Sequence, residues 1–467
     1  MKDLPLVKIS GKEVLPIVEG GRGIGISVGA TSGAFAHENA VGTVSGVFNN
    51  MTDDKGNDSP YVFNGKTPFE RQKELIIQAI KGGIDQLKIA YEKSAGNGRI
   101  HLNVLWEQGG AMETIEGILK GAKGLVHGVT CGAGMPYKLA ELASKYETFY
   151  YPIVSSARAF KALWARAYKN YVDFLGGVVY EDPWLAGGHN GLSNKEDPVK
   201  PEDPMPRVTE LRRTMQSVGL KDEVPIIIGG GVWNLSEWQD YIDNKDLGSV
   251  AFQFGTRPLL TKESPVLKLW KDMLLSLKKA DVMLQKFSPT GFYSSAVKNG
   301  FLKELFDRKA TEMSYSDEES ADKKEKISLS SVKEVFVSFA DKIRANEYIA
   351  KGLDVLMRTP DKTLIFVSKE TEKRIKEMRA KCVGCLSACL FSGWSQNAEN
   401  HTTGLFPDPR LFCISRALFD AVSGAVSSNN FLMFSGHLGY RFATDPMYKN
   451  GYIPTIKELI EAIKKGL

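Results

Sequence analysis

Eight short apolar runs alternate with helix-period segments through the first 280 residues, and this alternation constrains the fold more than any other feature of the chain. The runs fall at 14–18, 41–47, 100–106, 124–129, 148–154, 174–180, 224–228 and 249–254. Most carry Val, Ile, Phe or Tyr on both parities, as parallel strands buried on both faces do. Helical spacing lies between them, at 67–94, 135–146, 156–170, 208–218, 235–243 and 265–277. Eight β/α repeats of this size predict a TIM (β/α)8 barrel, with an open doubly wound sheet as the alternative. Asn234-Leu235-Ser236-Glu237 has the form of a capping box for the helix at 235–243. Pro136 and Pro258 stand where a first helical turn tolerates a missing N–H.

A chain of 467 residues exceeds one small core. The expected organisation is a barrel over 1–280 with a mostly helical C-terminal region, 281–467, packed on it. The charged stretch 315–326 reads as a solvated loop within that region. Net charge is only +5 and the basic residues are scattered, so no nucleic-acid partner is expected. The start, Met1-Lys2-Asp3-Leu4-Pro5, has no apolar core of signal length, and no run reaches membrane-spanning length. A cytoplasmic enzyme with a small-molecule substrate and no membrane partner follows as the expectation, with a homo-oligomer left open.

Two glycine signals end the last two strands. Val224-Pro225-Ile226-Ile227-Ile228 runs into Gly229-Gly230-Gly231, and Val250-Ala251-Phe252-Gln253-Phe254 runs into Gly255-Thr256. A strand that breaks into glycine and then opens a helix delivers backbone N–H groups to a phosphate, and barrels commonly bind phosphate at their last two turns. A third loop, Ala186-Gly187-Gly188-His189-Asn190-Gly191, places a histidine between glycines after the sixth strand. At neutral pH an imidazole is the side chain best suited to give or take a proton, so His189 is the candidate catalytic residue. Near the start, Glu19-Gly20-Gly21-Arg22-Gly23 also follows a strand. A Rossmann loop would want an acidic residue about 20 positions on, where this chain has Ser45-Gly46. The other readings are close backbone approach to a flat ring, or a plain tight turn.

The remaining histidines point to structure. His37 reads as a surface helical residue, and His101 and His127 as hydrogen-bonded groups in strands. No metal-like spacing links His401 or His437 to His189. Three of five cysteines lie in Cys382-Val383-Gly384-Cys385-Leu386-Ser387-Ala388-Cys389, with Cys413 beyond. Four thiolates could hold an iron–sulfur cluster or zinc. Equally, Cys382, Cys385 and Cys389 at i, i+3 and i+7 could form the buried face of a helix.

Taken together, Pro16-Ile17-Val18-Glu19-Gly20-Gly21, Gly-Ile-Gly-Ile-Ser at 23–27, Val41-Gly42-Thr43-Val44-Ser45 and the three later loops resemble the nitronate monooxygenase family, formerly 2-nitropropane dioxygenase. That family includes related NAD(P)H-dependent flavin oxidoreductases. The resemblance runs over 15–289 and extends more loosely to the cysteines, as in longer members. It implies a flavoprotein barrel with FMN at the C-terminal strand ends. Gly20, Gly21 and Asn103, with Gly187 and Gly188, match positions beside the flavin. Gly229, Gly230, Gly231, Gln253, Gly255 and Thr256 match its phosphate and ribityl contacts. His189 matches the base or substrate anchor near flavin N5. Two departures stand out. Arg22 replaces a methionine common in relatives, and Tyr180-Glu181-Asp182-Pro183-Trp184 replaces a Gln-Gly pair, so that Glu181 or Asp182 stands for a flavin-facing amide.

The resemblance implies an FMN-dependent oxidoreductase, a monooxygenase in its nitronate form: His189 anchors the nitronate or takes the α-proton of a nitroalkane, and O2 completes the denitration. A second form has NAD(P)H as co-substrate and reduces a quinone or an enoyl thioester. A third, of a different class, is a flavin-binding accessory protein whose C-terminal third recruits a partner.

Overall fold

A computed structural model describes residues 4–328, 334–423 and 431–467; residues 1–3, part of the start read above for a signal segment, lie outside it. Eight parallel strands close into a barrel. They are β1 (Ile17–Glu19), β2 (Val41–Ser45), β3 (Arg99–Leu105), β4 (Gly128–Gly132), β5 (Phe149–Val154), β6 (Val178–Glu181), β7 (Ile226–Gly229) and β8 (Val250–Phe254). Closure is the β8–β1 pairing, Phe252 opposite Ile17 and Phe254 opposite Glu19. The TIM barrel is thus the observed fold, and every strand lies within or beside its predicted run.

The helical ring begins with α1 (Gly29–His37), whose buried Gly29 and Gly33 let it lie directly against α2 (Pro68–Ser94). The long α2 opens on a capping box between Thr67 and Glu70, with Pro68 at its first position. Next come α3 (Ala111–Gly121), α4 (Leu139–Lys145), α5 (Ala157–Arg166) and α6 (Pro204–Ser217). After β7 the pattern changes. The expected helix 235–243 is a single 3₁₀ turn, Leu235–Trp238, and Asn234 makes no side-chain cap. Leu235, Trp238, Tyr241 and Ile242 are all buried, and Trp238 packs on Tyr241 and Phe252. Those apolar positions are satisfied by successive turns, which the three-residue spacing serves as well as an α-helix would. After β8 comes another 3₁₀ turn, Arg257–Leu260, and then α7 (Lys268–Leu274).

Beyond α7, a hairpin of β9 (Val282–Gln285) and β10 (Ser294–Val297) lays its second strand against Gly188–His189. Helices α8 (Gly300–Ala310), α9 (Phe339–Ala350), α10 (Lys369–Ala380) and α11 (Ile414–Ser423) follow, interleaved with short antiparallel strands. Of the predicted solvated loop 315–326, the last two residues enter the strand Glu325–Ile327, paired with Val335–Val337. The final helix, α12 (Ile456–Lys464), returns to the barrel. Its Ile456, Leu459, Ile460 and Ile463 join the same hydrophobic cluster as Ile17, Phe35 and Phe252. Among the described residues no helix is long and apolar enough to cross a membrane.

Candidate active site

All eight strands send residues from their C-terminal ends into one deep cavity, where barrels carry their active sites. Gly20, Gly21 and Arg22 line it after β1, Asn103 from β3, Glu181 from β6, Gln253 from β8. The loop residues Gly187, Gly188 and His189 complete one wall, and Gly230, Gly231, Gly255 and Thr256 another. Gly229 is not in the lining. It pairs with Gln253 in the β7–β8 register, and a Cβ there would sit 3.0 Å from the Gln253 amide nitrogen. Its small size leaves room for Gln253 to reach the cavity.

The two glycine turns leave backbone amides unpaired beside the cavity. Gly230 and Gly231 adopt φ of 86° and 74°, a left-handed pair that turns successive amides the same way. The amides of Gly230, Gly231 and Gly255 donate to no protein acceptor among the described residues. A Cβ on Gly255 would meet no atom within 4 Å, so any side chain there would grow into the cavity. The expected α-helix starts are 3₁₀ turns instead, so free amides rather than a long helix dipole offer the charge. The Thr256 hydroxyl accepts from the Gly436 amide at 2.9 Å, keeping its own proton for donation into the cavity.

His189 is fixed from outside the barrel's own strands. The β10 strand holds its backbone opposite Ser294. Its Nε2 lies 2.6 Å from the Ser288 hydroxyl, and Ser288 lies 2.8 Å from Thr290. The Phe434 ring stands edge-on to the imidazole at 5.5 Å. Burial lowers the His189 pKa to about 4, so the ring is neutral at pH 7. Ser288, Thr290, Phe434 and Gly436 were not legible as site residues. They come from the chain beyond residue 280, and Ser-Pro-Thr and Phe-Ser-Gly carry no spacing signal. Their role depends on a hairpin 100 residues past the histidine loop.

The two departures from the family pattern behave differently. Glu181 borders the cavity, and desolvation with the nearby Asp182 charge raises its pKa to about 8, leaving a neutral carboxyl at pH 7. Asp182 turns away and accepts from the amides of Trp184 and Leu185 at 3.0 and 2.8 Å, capping the turn that starts the histidine loop. Arg22 pairs with the fully buried Glu19, whose other oxygen accepts from the Thr43 amide at 3.0 Å. Its Nε donates to the Gly20 carbonyl at 3.1 Å, and its Nη1 is buried without a partner. The glycine at 21 has a packing cause: a Cβ there would lie 2.3 Å from Asn103. Asn103 in turn donates to Thr130 Oγ1 at 3.1 Å.

The cysteines converge without forming a helix. Helix α10 ends at Ala380, and Gly384, at φ 62°, turns the chain out of helical geometry, so the buried-helical-face reading fails. Cys382, Cys385, Cys389 and Cys413 line a second cavity as free thiols. The other histidines are structural. His37 pairs with Glu38, and His101 Nε2 bonds Ser10 at 3.0 Å. His127 accepts from the Ile100 amide at 3.0 Å, and His401 stacks on Phe69 and Trp394. His437 meets Ser295 at 3.3 Å.

No curated protein matches the chain in sequence. Among solved structures, the enoyl reductase domain of MlnA from the macrolactin biosynthesis cluster of Bacillus amyloliquefaciens aligns over 97% of this chain and 93% of that one, at 13% identity and TM-score 0.55. FabK from Thermotoga maritima aligns over 97% and 92%, at 14% identity and TM-score 0.49. Nitroalkane oxidase from Streptomyces ansochromogenes aligns over 62% and 78%, at 17% identity and TM-score 0.44. The first likeness supports the fold and nothing finer. A model of the nitronate monooxygenase family matches residues 8–347, most of the chain and all eight barrel strands, and the chain therefore belongs to the nitronate monooxygenase family of flavin-dependent oxidoreductases.

Proposed function

We propose that the chain is an FMN-dependent nitronate monooxygenase in which His189 handles the substrate. The observation that carries this reading is a neutral imidazole, anchored through Ser288, on the wall of the cavity that also holds the free glycine amides. The amides of Gly230, Gly231 and Gly255, with the Thr256 hydroxyl, suit a single phosphate. Gly20, Gly21, Asn103, Gly187 and Gly188 line the space a flat ring would take, and Gln253 suits the ribityl chain. Arg22 brings an unspent N–H donor to the same wall, as a ring carbonyl or nitrogen requires. FMN supplies the electron acceptance and the oxygen chemistry that no side chain here has. His189, uncharged, accepts a proton from the carbon beside a nitro group or donates to a nitronate oxygen. Glu181, protonated, offers a second donor at the C-terminal end of β6. The free thiols of all five cysteines support a reducing, cytoplasmic setting.

A second reading is favoured by the apolar share of the wall. Ile24, Val47, Phe48, Leu105, Trp270 and Phe434 give a lining suited to an acyl chain. In that case NAD(P)H reduces the flavin and an enoyl thioester is the acceptor. Anaerobic mixing of the holoprotein with alkyl nitronates, NADH and NADPH separates the two. Bleaching of the flavin by nitronate is the expected result. Bleaching by NAD(P)H alone would transfer the assignment to the second reading, and FAD in place of FMN among the released flavin would overturn the cofactor.

A further inference from the structure

The second cavity lies outside the proposed chemistry, yet its construction is specific. Cys382, Cys385 and Cys389 come from the loop after α10, and Cys413 comes from the residue before α11. All four line one small space with Met378, Phe391 and Trp394 closing its apolar sides. The four thiols are near enough to act on one another electrostatically. None forms a disulfide.

The loop that carries three of them is clamped to the barrel by its backbone. Arg71 Nε donates to the Cys382 carbonyl at 2.8 Å, and Gln72 donates to the Gly384 carbonyl at 2.9 Å. The Gly109 amide donates to the Cys385 carbonyl at 3.0 Å, and the Ser387 amide to the Glu107 carbonyl at 2.8 Å. Its carbonyls are held by α2 and the β3–α3 loop, and its end pairs with Trp394–Ser395, Cys389 opposite Trp394.

A second, independent feature points to a negatively charged occupant. Arg379 Nη2 is buried with no hydrogen-bond partner, although Nε of the same group donates to the Phe391 carbonyl at 2.8 Å. The guanidinium lies within electrostatic reach of Cys389. Asp408 is also within its reach, but that carboxylate is held at both oxygens by Arg410. Four neutral thiols leave the buried Nη2 of this partly buried cation without an acceptor. Four thiolates around a metal centre give it a partner.

The spacing then selects the kind of centre. A single zinc holds four sulfurs at about 2.3 Å from the ion, which forces them into mutual contact. Among the described residues no three ligating side chains are grouped closely enough to hold one ion, yet the four cysteines surround a shared space. Four cysteine thiolates around a shared space are the usual ligand set of an iron–sulfur cluster. We propose that Cys382, Cys385, Cys389 and Cys413 bind an iron–sulfur cluster in this cavity. Cys385 and Ile414 line both cavities, so the cluster shares a wall with the active site.

The test is iron and acid-labile sulfide analysis of the full-length holoprotein purified without oxygen, with zinc measured in parallel and electron paramagnetic resonance after dithionite. Equal iron and sulfide, about two or four of each per chain, are expected, with a signal from the reduced cluster separate from the flavin. Cys389→Ser should lose most of the iron while keeping bound flavin and the far-UV spectrum. Cys131→Ser, in the barrel, should keep the iron. If Cys389→Ser does not fold, reconstitution of the unaltered protein with ferrous iron and sulfide, before and after alkylation of its accessible thiols, gives the same decision. Iron and sulfide well below one per chain after reconstitution, one zinc per chain, or full iron in Cys389→Ser would each overturn the proposal.

Discussion

At the scale of single residues, the cavity separates two titrating groups whose environments push them in opposite directions. Burial holds His189 near 4 and Glu181 near 8, so the histidine is neutral and the carboxyl protonated between those values. The sign of each follows. A lowered histidine pKa gives stability that is present above its ordinary 6.5 and lost as pH falls toward about 4. A raised glutamate pKa gives stability that is present below its ordinary 4.5 and lost as pH rises through about 8. For kcat/KM the expected profile is a plateau bounded on the acid side by His189 and on the alkaline side by Glu181. Glu181→Gln, which keeps the donor and removes the titration, should abolish the alkaline arm and leave the plateau nearly unchanged. An alkaline arm that survives the substitution belongs to another group. His189→Asn should retain FMN and lose about 10²–10⁴-fold in turnover, the usual worth of a general base. Ser288→Ala should cost roughly 3- to 10-fold, consistent with one hydrogen bond of ~0.5–1.5 kcal/mol, because it frees the imidazole without removing it. Equal losses in the two variants would mean that the serine, not the ring, meets the substrate. His189 was legible because glycines on both sides of a histidine at a strand end leave it few structural duties. Ser288 was not, since nothing local distinguishes a serine that supports a histidine from one that caps a turn.

At the scale of elements, the strands were readable because burial on both faces writes the same apolar run eight times. Helix-period spacing was a weaker guide after β7, where Leu235, Trp238 and Tyr241 satisfy a three-residue spacing with turns. The cysteine segment stayed open between two readings for the same reason: i, i+3 and i+7 is shared by a helical face and by a loop folded around a cavity. What no local pattern conveys is that the β9–β10 hairpin backs the histidine loop and that Phe434, Ser435 and Gly436 line the cavity. Thr256 is where the barrel and that segment meet, as phosphate donor by proposal and as acceptor for Gly436 by observation. Thr256→Val should therefore remove one hydrogen bond of ~1 kcal/mol to the phosphate and weaken FMN by about 5-fold, the lost Gly436 bond being common to the free and bound forms. Thr256→Ser should restore most of it. Titration of the apoprotein with FMN, followed by flavin fluorescence, measures both. Valine with an unchanged dissociation constant would place the phosphate elsewhere.

At the scale of the molecule, the last helix crosses the division between a barrel over 1–280 and a C-terminal region over 281–467. Helix α12 packs beside α1 in the barrel's own ring, where β7 is followed by a 3₁₀ turn and β8 by a 3₁₀ turn and the short α7. Its four isoleucine and leucine side chains are at most 1% exposed. Arg257, itself 1% exposed, reaches past the end of β8 to donate to the carbonyls of Trp233 and Leu467 at 2.9 and 2.8 Å. The C-terminal region and the barrel are thus expected to fold as one cooperative unit. Each buried aliphatic side chain of α12 contributes about 1.5–3 kcal/mol, so deletion of residues 456–467 removes about 6–12 kcal/mol, comparable to the whole stability of a typical domain at about 5–15 kcal/mol. The truncated chain should be recovered insoluble or without a cooperative thermal transition, and it should not take up FMN even though every residue proposed to hold the phosphate is present. Arg257→Met, which keeps much of the packing but loses the bonds to both carbonyls, should fold with a lower melting temperature. A truncated protein that melts cooperatively near the full-length temperature would show that the barrel closes its ring without α12, and the boundary at 280 would then be a true folding boundary.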